Sequence, residues 1–224
     1  MARKHQQEFI LETVHLHQVV EGVEELTLQT NVGDIVALLH PALEGAPTVV
    51  WVGGAGGGLD GPAWGMYPRL AGRLAAEGIA SLRLHYRRPN HLEDCVADTL
   101  LGAAYLVQQR GYRRVALVGH SFGGAVVISA GALSDDITAV VAMSSQTYGT
   151  DLAPQISPRP LLLLHGTADE ILSHRCSENI YARARQPKEL LLYNGCRHGL
   201  DECREQVDEA VTSWLTKELR VKKP

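Results

Sequence analysis

Val115-Ala116-Leu117-Val118-Gly119-His120-Ser121-Phe122-Gly123-Gly124 decides how this chain is read. An apolar run of strand length meets G-x-S-x-G, and the small-residue stretch 122–133 that follows reads as a helix. A serine on so tight a strand-to-helix turn must adopt a backbone conformation costing on the order of 1–3 kcal/mol. Gly119 and Gly123 remove side chains that would collide across that turn. The hydroxyl is thereby lifted clear of the sheet and set at a helix N-terminus, where developing negative charge is favoured. A glycine-rich turn with an incidental serine would satisfy the five-residue pattern alone. It would not account for the strand before it and the helix after it.

Outward from this segment, strands and helices alternate. Residues 48–52 read as a strand that runs into Gly53-Gly54-Ala55-Gly56-Gly57-Gly58. Met66, Leu70 and Leu74, spaced by four, mark a helix that ends near Gly78. Residues 79–85 form the next strand, and Leu92, Val96, Leu100, Ala103 and Val107 define one helical face closed by Gly111. Strands are expected over 114–118, 137–143, 160–165 and 189–193, with a helix over 173–185. Asp201 is the expected cap of a last helix that buries Val207, Ala210, Val211, Trp214 and Leu215. Upstream, 24–29 and 34–40 read as an antiparallel pair turning at Asn31-Val32-Gly33, and 9–20 suits either a strand or a short helix. This rhythm predicts an α/β fold with a mainly parallel sheet of about eight strands and helices on both faces. With no repeat or linker, 1–224 is expected to be one domain, with 1–20 a flexible or peripheral extension.

Composition excludes several function classes. The chain has 224 residues, 45% hydrophobic and 21% charged, with a formal net charge of -4. No clustered basic stripe is present to meet phosphates, so no nucleic-acid partner is expected. No apolar run approaches the roughly 20 residues of a membrane span. The N-terminal residues lack the apolar core of a secretory signal, so a cytoplasmic location is expected, and Lys222-Lys223-Pro224 reads as a solvated tail. Cys95, Cys176, Cys196 and Cys203 form no C-x-x-C pair. In that setting free thiols are expected, with no metal and no cofactor.

The elbow around Ser121 resembles the α/β-hydrolase family, and within it the lidless members similar to dienelactone hydrolases and small serine esterases. The resemblance covers roughly residues 45–220 and implies the chain order serine, acid, histidine, with the last two on loops after later strands. Leu161-Leu162-Leu163-Leu164-His165-Gly166-Thr167-Ala168-Asp169 resembles the family's strand-HGxxD segment, which makes Asp169 the implied acid. Leu190-Leu191-Leu192-Tyr193-Asn194-Gly195-Cys196-Arg197-His198-Gly199 is a strand and loop in which His198 takes the place of the family's base. The histidine would activate a hydroxyl that is a weak nucleophile unaided, and the carboxylate would hold the imidazole tautomer. Glu170 and Asp201 are rival acids. His165 is expected to support the Asp169 loop, His120 to lie behind the site, and Asp94 and Asp98 to be polar faces of a helix.

Acyl transfer also needs N–H donors for the developing oxyanion, each worth about 10²–10³ in rate. Phe122 N–H is one candidate. The glycine run resembles the family's HGxGG loop with Gly53 where histidine is common, so the second donor is Gly54 or Ala55. A phosphate loop would want a following lysine, which is absent. The short stretch from Ser145 to Pro158 leaves no room for a lid, so the mouth is expected to be open, lined by Trp64, Met143 and Tyr148. Arg87 or Arg88, past a strand on the same sheet edge, could hold a substrate carboxylate, or simply form a surface pair. The expected activity is hydrolysis of a small carboxylic ester or thioester. An acyl-peptidase or acyltransferase with the same residues, or a binding protein that kept only the fold, are the alternatives.

Overall fold

The computed structural model describes residues 9–220. Three strands open the chain as an antiparallel meander: β1 (Leu11–Val20), β2 (Val23–Thr30) and β3 (Gly33–His40). Six more follow, β4 (Thr48–Val52), β5 (Ala80–His85), β6 (Val115–His120), β7 (Ile137–Met143), β8 (Leu161–Gly166) and β9 (Lys188–Tyr193). Between them run α1 (Pro62–Ala76), α2 (Leu92–Gln108), α3 (Phe122–Leu133) and α4 (Arg175–Arg183), and α5 (Arg204–Leu219) comes last. The lateral order is β1-β2-β3-β5-β4-β6-β7-β8-β9. β3 meets β5 antiparallel, and every neighbouring pair from β5 to β9 is parallel.

Side-chain alternation explains why the parallel strands are apolar throughout. Val50, Val52, Leu117, Val140 and Leu163 pack toward α2, α3 and α4. Their neighbours Val49, Trp51, Val118, Val141 and Leu162 pack toward α1 and α5. Both faces are covered, so neither set of positions tolerates polarity. The chain leaves β4 toward one edge of the sheet and resumes at β6 on the other side. The loops after β4 and β6 therefore diverge and leave a crevice at the carboxyl ends of these strands. That crevice receives the glycine run and the elbow.

The sheet has nine strands rather than eight. The additional one is β1, over residues whose pattern fits strand or helix equally. β1 is an edge strand in which only Leu11 and Val14 are shielded, and its register slips twice against β2, so the period-two signal is diluted. Residues 11–20 are thus sheet and not a loose extension, while residues 1–8 and the Lys222-Lys223-Pro224 tail lie outside the described residues. Asp201 does not cap α5, which starts at Arg204 after Cys203. Between β7 and β8 the chain makes only a 3-10 turn, Ala153–Gln155, and no helical insertion.

Candidate active site

Ser121 sits between β6 and α3 with φ 58° and ψ -121°, left-handed backbone that a residue with a Cβ adopts only under strain. The strain is held by close packing. A Cβ on Gly119 would lie 2.1 Å from Gly123 O, and one on Gly123 would lie 2.3 Å from Gly53 O. The second contact presses the elbow against the glycine loop after β4. Both glycines of the motif therefore answer to sterics.

Three side chains distant in sequence meet there. Ser121 Oγ is 3.0 Å from His198 Nε2, and His198 Nδ1 is 2.8 Å from Asp169 Oδ2. The Asp169 side chain is fully buried. Burial alone would raise its pKa. The Leu172 and Ile171 N–H groups, 2.7 and 2.9 Å from Oδ1, together with the His198 ring outweigh that and hold the carboxyl below the usual carboxylate range. His165 also donates to Oδ2 at 3.0 Å and to Leu172 O at 2.9 Å, both from Nε2. Its Nδ1 accepts from Ser177 Oγ at 2.7 Å. Two acceptors at Nε2 place the proton there, and burial keeps this imidazole neutral by lowering its pKa. Asp169 is thus ionised among four donors, two of them imidazoles.

The loop bearing His198 is tied from three sides. His120, expected behind the site, donates from Nε2 to His198 O at 2.9 Å with the rings 4.8 Å apart. Ala63 N–H donates to Gly199 O at 2.7 Å, and Trp64 N–H to Asp201 Oδ1 at 3.1 Å. Glu170 receives the His198 backbone N–H at 3.4 Å rather than its ring. Both rival acids are therefore occupied with backbone. Ala63, Trp64 and Gly65 form a left-handed turn whose carbonyls are gathered by the Arg69 guanidinium, itself paired with Asp208 of α5.

Comparison with known proteins decides the lineage of this arrangement. Residues 49–215 match the alpha/beta hydrolase family. The chain belongs to that family. A curated relative, the uncharacterized protein YfhR of Escherichia coli K12, is 37% identical over 75 residues. That match covers 30% of this chain and 26% of YfhR, so the chain spans about a quarter of the length of the curated relative it matches. Among solved structures, a dienelactone hydrolase from Anabaena variabilis superposes with a TM-score of 0.76 at 16% identity, covering 89% of this chain and all of that one. A Xanthomonas campestris a/b serine hydrolase without lid gives 0.72 at 18% identity, covering 92% of this chain and 100% of its own. At such identities the likeness is one of fold.

In this α/β hydrolase the residues proposed for substrate contact divide. Arg88 and Tyr148 line a recess of about 610 Å³ that also reaches Phe122, His91, Asp94 and Gln146. Arg88 pairs with Asp94 at 3.0 Å and stays exposed. Arg87 is withdrawn from any ligand. Its Nε lies 2.5 Å from Asp98 Oδ1 and its guanidinium 4.2 Å over the Phe9 ring. Asp98 is accordingly a fully buried ion-pair partner and not a polar helix face, while Asp94 is surface-facing as expected. Met143 is fully buried under the elbow and lines nothing. Trp64 is 75% exposed and lines a different recess, with Asp201, Glu202 and Arg204. Among the described residues, no group of three or more His, Cys, Asp or Glu is placed to hold a metal ion, and no helix is long and apolar enough to cross a membrane.

Two cysteines are not free thiols. Cys196 and Cys203 form a disulfide with Cα atoms 5.9 Å apart, closing a loop around His198. Neither belongs to a C-x-x-C pattern, and only the reversal of the chain at Gly199–Leu200 brings them together. Cys95 is free and buried, and burial pushes its thiol up to about 12. A cross-link across so short a loop is worth about 2 kcal/mol. The double variant Cys196→Ser/Cys203→Ser is expected to melt roughly 5 °C lower by calorimetry. An unchanged melting temperature would mean that the bond does not form in solution.

A pH dependence of stability follows from the same region. Burial lowers the His120 pKa from 6.5 to about 4. Between these values the unfolded chain binds a proton that the folded chain does not, so stability falls as pH drops through the window and levels off below it. His40, lowered to about 4 by burial and by Arg83, acts in the same direction. Urea midpoints followed from pH 7 to 4 should decline, and His120→Gln should make that decline shallower. An equally steep decline in the variant would show that His120 is charged in the folded protein.

Proposed function

We propose that this chain hydrolyses small carboxylic esters or thioesters through an acyl-enzyme on Ser121. The single observation that carries the reading is the unbroken hydrogen-bonded chain from Ser121 Oγ through His198 to the buried Asp169 carboxylate. In the proposed cycle His198 Nε2 takes the serine proton as Oγ attacks the carbonyl, then returns it to the leaving oxygen or sulfur. A water molecule activated by the same nitrogen releases the acid. Asp169 fixes the Nδ1–H tautomer and stabilises the imidazolium.

Phe122 N–H, the first of α3, is the proposed first oxyanion donor, and the N–H of Gly54 or Ala55 the second. Gly54 itself lies against the nucleophile. A Cβ there would be 3.5 Å from Ser121 Cβ and 4.0 Å from Oγ. Phe122 N–H stands at the first position of α3, where a helix offers it no acceptor of its own, and Gly54 pairs with Gly57 across the glycine loop. The recess lined by Arg88, Tyr148 and Phe122 is the proposed seat of the substrate's polar portion, open enough for short acyl chains.

The location remains proposed as cytoplasmic on sequence grounds. The Cys196–Cys203 bond is uncommon in reducing compartments, and alkylation of thiols in unreduced extracts tests whether it survives there. The test of the activity is labelling with a fluorophosphonate, which reacts with activated serines. Peptide mapping should place the adduct on Ser121. A protein that turns over p-nitrophenyl acetate without being labelled there would refute the assignment. One that does neither would favour the non-catalytic binding alternative.

A further inference from the structure

We propose that Arg69 is a positioning residue for the base, holding the turn at 63–65 that keeps the chain after His198 in place. The inference rests on the hydrolase reading above and deepens it. Arg69 lies on α1, and all five of its N–H donors are engaged. Nε and Nη2 meet the two carboxylate oxygens of Asp208 on α5, at 2.7 and 2.9 Å. Nη1 donates to Trp64 O and Gly65 O, each at 3.0 Å, and Nη2 to Ala63 O at 2.9 Å. The planar fork of a guanidinium suits such a set, and the single ammonium of a lysine could not span it.

The turn has reason to need such a hold. Ala63, Trp64 and Gly65 have φ of 51°, 55° and 78°, left-handed backbone that only the glycine adopts freely. Strain of this kind persists only where the surroundings over-determine it. The conformation also gathers three carbonyl oxygens at one place, and Pro68 has no N–H to offer Trp64 O. The cation meets all three. What the turn then supplies lies on the base loop. Ala63 N–H donates to Gly199 O at 2.7 Å, and Trp64 N–H to Asp201 Oδ1 at 3.1 Å. Between these two anchors Leu200 turns back with φ 60°, and a Cβ at Gly199 would lie 2.9 Å from Asp201 Oδ2. Without the turn, this tight reversal directly after His198 is free to shift and to carry the imidazole with it.

A matched control is Arg110, which meets both oxygens of Glu24 at 2.5 and 2.9 Å. Its bond to Tyr105 Oη also keeps it away from the base loop. Arg69→Met and Arg110→Met each remove one half-buried bidentate arginine. With p-nitrophenyl acetate, Arg69→Met is expected to lose on the order of 10–100-fold in kcat, since misplacement of a reacting group by about 1 Å can cost that much. KM should stay within about 3-fold. Arg110→Met should lose comparable thermal stability and keep kcat within about 3-fold. The low-field proton resonance of an Asp–His hydrogen bond, here His198 Nδ1–H on Asp169, should broaden beyond detection in Arg69→Met and persist in Arg110→Met.

A kcat loss below about tenfold in Arg69→Met, an equal loss in Arg110→Met, or a loss confined to KM would overturn the role of Arg69. So would an unchanged low-field resonance in Arg69→Met. Removing the arginine alone strands the buried Asp208 carboxylate. If Arg69→Met therefore does not fold, Arg69→Met/Asp208→Asn is measured in its place beside Arg110→Met/Glu24→Gln, with the same expectations. Failure of the hydrolase reading looks different: the wild type itself would show neither turnover nor a Ser121 adduct.

Discussion

Ser121→Ala should lower ester hydrolysis by at least about 10⁴-fold and abolish fluorophosphonate labelling, while the protein still folds. The expected size follows from what the hydroxyl does in the proposed cycle. There, without Oγ no acyl-enzyme forms, and His198 has nothing to deprotonate except water. What survives is the rate enhancement of the oxyanion donors and of substrate binding, which in comparable serine hydrolases is a small remainder. Folding should persist because alanine keeps the Cβ that the elbow already accommodates at φ 58°, and the close contacts of Gly119 and Gly123 are untouched. The measurement is kcat/KM on p-nitrophenyl acetate beside a thermal melt. A variant that melts like the wild type and retains more than about one hundredth of its rate would remove Ser121 from the chemistry.

Asp169→Asn is expected to be nearly as damaging, about 10⁴-fold in kcat, for a different reason. The carboxylate accepts four hydrogen bonds: His198 Nδ1–H and His165 Nε2–H at Oδ2, and the Ile171 and Leu172 N–H groups at Oδ1. An asparagine has one accepting oxygen and one donating nitrogen. If the oxygen keeps the two backbone N–H groups, the amide nitrogen faces two imidazole N–H donors. His198 then flips to the tautomer that presents a proton to Ser121 instead of a lone pair. His165 cannot adapt in the same way, since its Nε2 proton also bonds Leu172 O. Stability should fall as well, because a buried donor facing donors costs about 1–3 kcal/mol. Kinetics on the folded variant would separate the two effects. A kcat within tenfold of the wild type would point to Glu170, which lies against the His198 backbone, as the true acid.

The reach of the sequence can be judged residue by residue. The elbow, the acid loop and the base loop were each legible because every one is a contiguous strand followed by a short loop with glycine at a sterically required place. Gly123 must clear Gly53 O, and Gly166 must clear Cys196 O, 2.1 Å from where its Cβ would stand. Such requirements leave a mark in a few consecutive letters. His165 and His120 were also readable as supports, since both sit beside residues of those motifs.

Arg87 and Arg88 show the limit. They are adjacent and alike in sequence, yet one is buried against Asp98 and the other is exposed. The same holds for Met143, whose place at a strand end suggested the mouth but whose side chain turns into the core. β1, an edge strand with one partly covered side, carries too little alternation to be told from a helix by pattern.

By itself, the sequence determined the α/β class and the order of the elements, because local backbone geometry and alternation write themselves into neighbouring positions, and its resemblance to a known family pointed to the three residues of the hydrogen-bonded relay. Only the tertiary structure decided that Cys196 pairs with Cys203, that Asp169 serves two histidines, that Arg69 gathers the turn at 63–65, and that the Tyr86 hydroxyl meets Gly53 O in the glycine loop. The physical reason is common to all four. Each depends on where the chain returns after a turn or a crossover, and a contact between side chains brought together in that way leaves no periodic trace in either segment.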